Sequence, residues 1–273
     1  MLKRPAAISR HVDLTSQRHG IVRVATPAHV IDNESAIGIL ASNHLTRAAI
    51  GRWPCPGYTV GMAEDRYMKH ALSLARRGEG RVEPNPMVGC VLVKGDRVIG
   101  EGYHRKFGGP HAEIDALRDA QAAGRNTPGA TAYVTLEPCS HTGKTGPCAD
   151  ALIEAGIRRA VIATLDPNPI STGGATRLRK AGVEVSIGLL EDQARQLIAP
   201  FTKRVTTGLP FVITKWAATL DGATATHTGD SQWISNELSR RNVHRLRGRV
   251  DAIMVGIGTV LTDDPMLTAR DVP

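Results

Sequence analysis

Four side chains in this 273-residue sequence are spaced for metal-assisted proton transfer: His111, Glu113, Cys139 and Cys148. One imidazole and two thiolates make a three-ligand zinc set whose fourth tetrahedral position is left to water, as in a catalytic rather than a closed structural site. Two thiolates neutralise the dication, and a nearby helix N-terminus favours each anion. Zinc held this way lowers the pKa of its water from about 15.7 toward 7, so zinc hydroxide forms at neutral pH. Hydroxide alone does not remove an amine, because the attacked ring nitrogen must gain a proton and ammonia must leave protonated. Glu113, two residues from a ligand and not needed as one, is the candidate carrier of those protons.

His-x-Glu by itself is too common to mark a metal site. Followed by Pro138-Cys139 and a second cysteine, it is the zinc-deaminase signature, although the usual two-residue gap between cysteines is here eight residues, Ser140 to Pro147. The longer loop adds His141 and Lys144 near the metal. His141 as a fourth ligand would close the site and leave Glu113 without a task, so it is read as a pocket wall. Cys90, in an apolar run, reads as a small core residue.

The elements that must hold these groups begin near Met62. Met68, Ala71, Leu72 and Ala75 recur at helical spacing in Glu64–Arg77, with Gly78 as a stop. Val88–Lys94 and Arg97–Tyr103, joined through Gly95-Asp96, read as a hairpin. Helices are expected at His111–Ala123, Cys148–Ala155, Arg177–Ala181 and Glu191–Ala199, and strands at Ala132–Leu136, Arg159–Thr164 and Val183–Ile187. Strands alternating with helices imply a three-layer α/β/α domain over 62–207 around a mainly parallel sheet. Residues 1–61 show no sustained period and read as a disordered or non-native extension, translation from Met62 being one explanation. After the break at Thr206–Pro210, a strand at Phe211–Ala218, a helix at Asn236–Arg247 and a strand at Ala252–Val255 would open a second unit over 208–273.

Composition sets outer limits. No run approaches the 18 or more apolar residues of a spanning helix, and no signal-peptide core follows the basic start, so a soluble cytoplasmic protein is expected. Four cysteines are too few for a disulfide scaffold. A formal charge of +8 is compatible with phosphorylated small molecules, an anionic cofactor or nucleic acid, but no basic run interleaved with aromatics marks a nucleic-acid surface.

The chain resembles the bifunctional riboflavin-biosynthesis deaminase–reductases through Pro84-Asn85-Pro86-Met87-Val88-Gly89-Cys90, Gly109-Pro110-His111-Ala112-Glu113, Thr135-Leu136-Glu137-Pro138-Cys139-Ser140-His141, Asp166-Pro167-Asn168-Pro169 and Leu220-Asp221-Gly222. The resemblance implies a cytidine-deaminase-like domain followed by a dihydrofolate-reductase-like α/β segment. It implies zinc-dependent deamination of 2,5-diamino-6-(5-phosphoribosylamino)pyrimidin-4-one to the uracil, then NADPH-dependent reduction of the ribosyl ring. Substrate-pocket roles would fall on Asn85, His104, Lys144, Asp166 and Asn168, though Asp166-Pro167-Asn168 is also a good turn sequence.

In the second unit the resemblance implies NADPH contacts at Ala217, Trp233, Thr259 and Asp263, and substrate contacts at Ser231, Arg247, Met266 and Arg270. Two arginines facing a phosphate is chemically sensible. The family's reductase domain continues beyond the position of Pro273, so an incomplete reductase segment with weak or absent NADPH oxidation is expected here. The substrate would be the phosphoribosylaminopyrimidine, with no nucleic-acid or membrane partner, and a homo-oligomer stays open. Two other readings stay open as well: a zinc deaminase of transfer RNA or a free nucleobase, and a binding protein with structural zinc.

Overall fold

In a computed structural model of the chain, residues 62–141 and 146–272 are described; the expectations for residues 1–61 and for Lys144 lie outside the described residues. These residues divide into two compact units that part between Lys215 and Trp216.

In the first unit, α1 (Met62–Arg76) buries Met68, Ala71, Leu72 and Ala75, the positions its spacing selects. β1 (Gly89–Lys94) and β2 (Arg97–Tyr103) pair antiparallel across a tight turn. Then come α2 (Ala112–Ala122), β3 (Thr131–Leu136), α3 (Cys148–Glu154), β4 (Arg159–Thr164), α4 (Gly174–Lys180), β5 (Glu184–Ile187), α5 (Glu191–Leu197) and α6 (Ala199–Thr207). α4 begins three residues before the expected Arg177. α6 was not anticipated; none of its residues is fully buried, although Phe201 and Val205, with Ile198 at the N-cap, recur at helical spacing on its half-buried side.

The sheet runs β2-β1-β3-β4-β5. β3, β4 and β5 are parallel, whereas β1 is antiparallel to both of its neighbours. The expectation of a mainly parallel sheet is therefore corrected to a mixed one. The cause is the α2 crossover, which returns the chain parallel to β2 but one strand further on, leaving β1 between two strands that run against it.

Alternation along the strands feeds two cores. Cys90, Leu92 and Val134 face Ala116, Leu152 and Leu178 on the α2–α3–α4 side. Val91, Val93, Tyr133 and Val161 face Met68, Leu72, Leu74 and Ala194 on the α1–α5 side. Helices on both faces of one sheet make the expected three layers. Gly102 lets α2 sit directly on the hairpin, since a Cβ there would overlap the backbone of Ala112 and Ala116.

In the second unit, α7 (Glu237–Arg247) is capped by Asn236, whose Oδ1 accepts from the Ser239 amide at 2.9 Å. It is followed by α8 (Ile257–Asp263). Among the described residues no strand follows β5, so the strands expected at Phe211–Ala218 and Ala252–Val255 do not form. Val212 and Met254 are exposed, and neither run has a ladder partner, without which an apolar run gains neither hydrogen bonds nor burial.

Candidate active site

The parallel β3–β4 register sets Leu136 beside Thr164, so the chain leaves both strands at the same edge of the sheet. Pro138 cannot donate to a ladder, and β3 ends before it, delivering Cys139 to that edge. Cys148 follows as the first residue of α3, and its backbone N–H donates to the Cys139 Sγ at 3.3 Å. His111 stands at the N-cap of α2 in extended conformation. It makes no capping bond, so its ring is free to turn toward the sulfurs.

The ligating atoms of His111, Cys139 and Cys148 lie within 4.8 Å of one another. The His111 Nδ1 is 3.2 Å from the Cys148 Sγ and 3.6 Å from the Cys139 Sγ. Zinc with N and S bonds of about 2.0–2.3 Å needs donor atoms roughly 3.5–3.8 Å apart in a tetrahedron, so these three fit the ion with small adjustments. The two sulfurs behave as a pair: the Cys139 thiol is drawn down to about 4, first by its hydrogen bond with the Cys148 thiol, and Cys148 is pushed up by the same bond and by burial. His141 lines the cavity wall and lies outside the three-residue ligand group.

Glu113, one position into α2, is buried, and its carboxyl is pushed up to about 7, first by that burial, while the neighbouring His111 pulls the other way. It shares the wall of a cavity of about 480 Å³ with His111 and Cys139. Such a volume suits a single small ligand.

Asn85, His104, Asp166 and Asn168 line the same cavity. The His104 ring meets that of His111 edge-on, with centroids 5.6 Å apart. Its Nδ1 faces the Pro110 carbonyl oxygen at 2.9 Å, an atom that only accepts, so Nδ1 carries the proton. Nε2 is then an acceptor, and the Asn85 Nδ2 donates to it at 3.1 Å. Burial pushes His104 down, keeping it neutral and holding the nitrogen end of the Asn85 amide toward the ring.

The turn and pocket readings of Asp166-Pro167-Asn168 are both present. The Asp166 Oδ1 accepts from the Asn168 amide at 2.8 Å, and the Asn168 Oδ1 accepts from the Ile170 amide at 3.2 Å. Asp166 is pushed up to about 6, first by burial. Cys90 is wholly buried in the α2-side core, its thiol pushed well up by that burial.

Sequence reasoning overlooked Glu137. Its carboxylate is 5% exposed and accepts from the amides of Asp166, Gly173 and Ala175 and from the Thr172 hydroxyl. The signal was an acid at the end of the apolar run Thr131–Leu136. Phe107 and Phe201 also line the cavity, and no spacing announced them.

In the second unit, Arg247 and Arg270 both donate to the Met266 carbonyl, at 3.3 and 3.2 Å. Arg247 is pushed down by burial first and by Arg270 second. Trp233 is 68% exposed and carries the Arg240 guanidinium 4.4 Å above its ring. Thr259 and Asp263 lie on α8, exposed like Ser231, and Ala217 is half-buried. The structure thus gathers Arg247, Met266 and Arg270, and among the described residues no hydrogen bond or ion pair joins Ala217, Ser231, Thr259 or Asp263 to them.

Residues 62–164 match the cytidine and deoxycytidylate deaminase zinc-binding region, and residues 210–273 match the RibD C-terminal domain. The riboflavin biosynthesis protein RibD of Aquifex aeolicus is 51% identical over 211 residues, 77% of this chain and 58% of that protein. That of Escherichia coli is 52% identical over 210 residues, 77% of this chain and 56% of its own length. A solved Thermotoga maritima diaminohydroxyphosphoribosylaminopyrimidine deaminase/5-amino-6-(5-phosphoribosylamino)uracil reductase superposes with a TM-score of 0.74 at 50% identity, covering 77% of this chain and 60% of that one. The chain therefore spans a little over half the length of the relatives it matches.

Proposed function

Because the chain belongs to the RibD family of riboflavin biosynthesis proteins, we propose that its first unit deaminates 2,5-diamino-6-(5-phosphoribosylamino)pyrimidin-4-one to 5-amino-6-(5-phosphoribosylamino)uracil. The observation that carries this reading is the buried carboxyl of Glu113 in one cavity wall with His111 and Cys139, Cys148 completing the ligand group. His111, Cys139 and Cys148 would hold zinc, which when bound supplies an activated water as nucleophile.

The remaining work falls to the chain. With a pKa close to neutral, Glu113 takes a proton from the attacking water and hands it to the ring nitrogen beside the amine-bearing carbon. It then passes the water's second proton to the departing amine. The C–N bond to that amine breaks, a carbonyl replaces it, and ammonia leaves. Asn85, oriented by His104, and Asp166 with Asn168 would orient the ring, with Lys144 as a further substrate-pocket residue. Two thiolate ligands need reducing surroundings, which fits a cytoplasmic enzyme.

The reductase step, transfer of hydride from NADPH to the ribosyl group, would fall to the second unit. Arg247 and Arg270 are the candidates for the phosphate, with Ser231 and Met266 beside the substrate and Ala217, Trp233, Thr259 and Asp263 toward the cofactor. With Trp233 and Met266 each 68% exposed, weak NADPH turnover is expected. The test measures ammonia release from the diaminopyrimidine, cytidine, guanine and RNA with zinc-loaded chain, and NADPH oxidation with the deaminated product. Turnover confined to the diaminopyrimidine supports the reading, whereas preference for RNA or a free base overturns it. NADPH oxidation at about 10 per second, an ordinary enzyme rate, would refute the expectation of a weak reductase.

A further inference from the structure

We propose that Glu137 is a positioning residue that clamps the β4–α4 loop against the metal-bearing end of β3, and thereby sets the wall of the pocket formed by Asp166 and Asn168. This rests on the deaminase reading above. A carboxylate offers about four acceptor sites. Here all four are taken: Oε1 accepts from the amides of Gly173 at 3.1 Å and Ala175 at 2.9 Å, and Oε2 from the Asp166 amide at 3.2 Å and the Thr172 hydroxyl at 3.1 Å. Glu137 also lines the cavity, but its four acceptor sites are committed to the loop, and it is through that loop that its role is assigned.

Two features make the clamp specific. α4 has no side-chain cap of its own: its N-cap is Gly173, and Glu137, reaching from another strand, accepts two of the amides that a helix start leaves unpaired. Around it the two segments are laced backbone to backbone. The Ser140 amide donates to the Ser171 carbonyl at 3.1 Å, the Ser140 hydroxyl donates to the Thr172 carbonyl at 2.6 Å, and a Cβ on Gly174 would overlap the Pro138 carbonyl. Cys139 lies between Pro138 and Ser140 in this seam, so one strand end fixes a metal ligand and the opposite pocket wall together.

Glu137→Gln keeps the size of the side chain but points an NH2 at N–H donors. Zinc-loaded enzyme carrying it should retain its metal, show KM for the diaminopyrimidine raised roughly tenfold or more with a smaller change in kcat, and exchange amides faster over residues 166–175 than wild type. A folded E137Q chain with wild-type KM, or with wild-type exchange over 166–175, overturns the proposal, as does loss of zinc. Thr172→Val covers the case in which E137Q fails to fold, because Thr172 is exposed and outside the pocket lining. It removes one of the four bonds, and KM should rise about two- to threefold; an unchanged KM overturns the proposal. If wild type itself releases no ammonia from the diaminopyrimidine, the functional reading fails, and the exchange comparison alone decides on the clamp.

Discussion

The two units contain similar apolar runs and put them to different use. In the first unit, Leu92, Val134, Leu152 and Ile162 vanish into a sheet with helices on both faces. In the second, Leu238, Met254, Leu261 and Met266 stay exposed, and among the described residues only Leu267 is buried. Hydrophobicity thus predicts burial only where the chain supplies a partner surface. A site that needs atoms held to a fraction of an ångström forms where the sheet that carries it is covered on both faces.

The sharpest way to break this contrast is chemical. Glu113→Gln should lower kcat for the diaminopyrimidine by at least about a thousandfold, some 4 kcal/mol of barrier, with zinc content unchanged. Trp233→Ala should leave deamination within about twofold. A large effect of Trp233→Ala on ammonia release, in steady-state assays, would mean that the second unit serves the first reaction.

Stability gives a second contrast. Leu152→Ala, at a wholly buried position on α3, should cost about 2–5 kcal/mol, whereas Leu261→Ala, at a position 79% exposed on α8, should cost under about 0.5 kcal/mol. Urea unfolding of the two variants measures the difference. Comparable losses would show that the second unit is folded against something the exposures do not reflect.

The smallest effect separates burial of a charge from burial of an apolar group. Asp166 keeps its proton up to about 6, whereas the unfolded chain releases it near the usual 3.8. Between about pH 4 and 6 the folded state therefore binds more protons, so rising pH costs stability, and the full penalty is present above 6. A shift of this size corresponds to roughly 2–3 kcal/mol, reduced to about 1–2 by partial exposure. Asp166→Asn lacks the titration, so wild type should lose that much relative to the variant between pH 4 and 7. Unfolding midpoints at matched zinc saturation measure it, and parallel curves would place the Asp166 carboxylate in water.

Much of the first unit was legible because periodicity and chemistry agreed there. The stripe of α1, the hairpin about Gly95-Asp96 and the His111-x-Glu113 and Pro138-Cys139 pairs each signal locally. What escaped was non-local. The antiparallel pairing of β1 with β3 depends on where a crossover lands, and the Glu137 clamp depends on residues 29 to 38 positions away. α6 is short, and its half-buried Phe201 and Val205 give only a single turn of period. The misread strands at Phe211–Ala218 and Ala252–Val255 are the converse case, in which local pattern points to an element that only distant partners could complete.

The seam between Glu137-Pro138 and Gly173-Gly174 also limits how this pocket could be re-engineered. Grafting the β4–α4 loop from a zinc deaminase would move Asp166 and Asn168 as a cassette, but the cassette docks only where an acid waits at the end of the neighbouring strand and no Cβ occupies position 174. Specificity in this scaffold is exchanged in matched halves, a strand end together with the loop it receives.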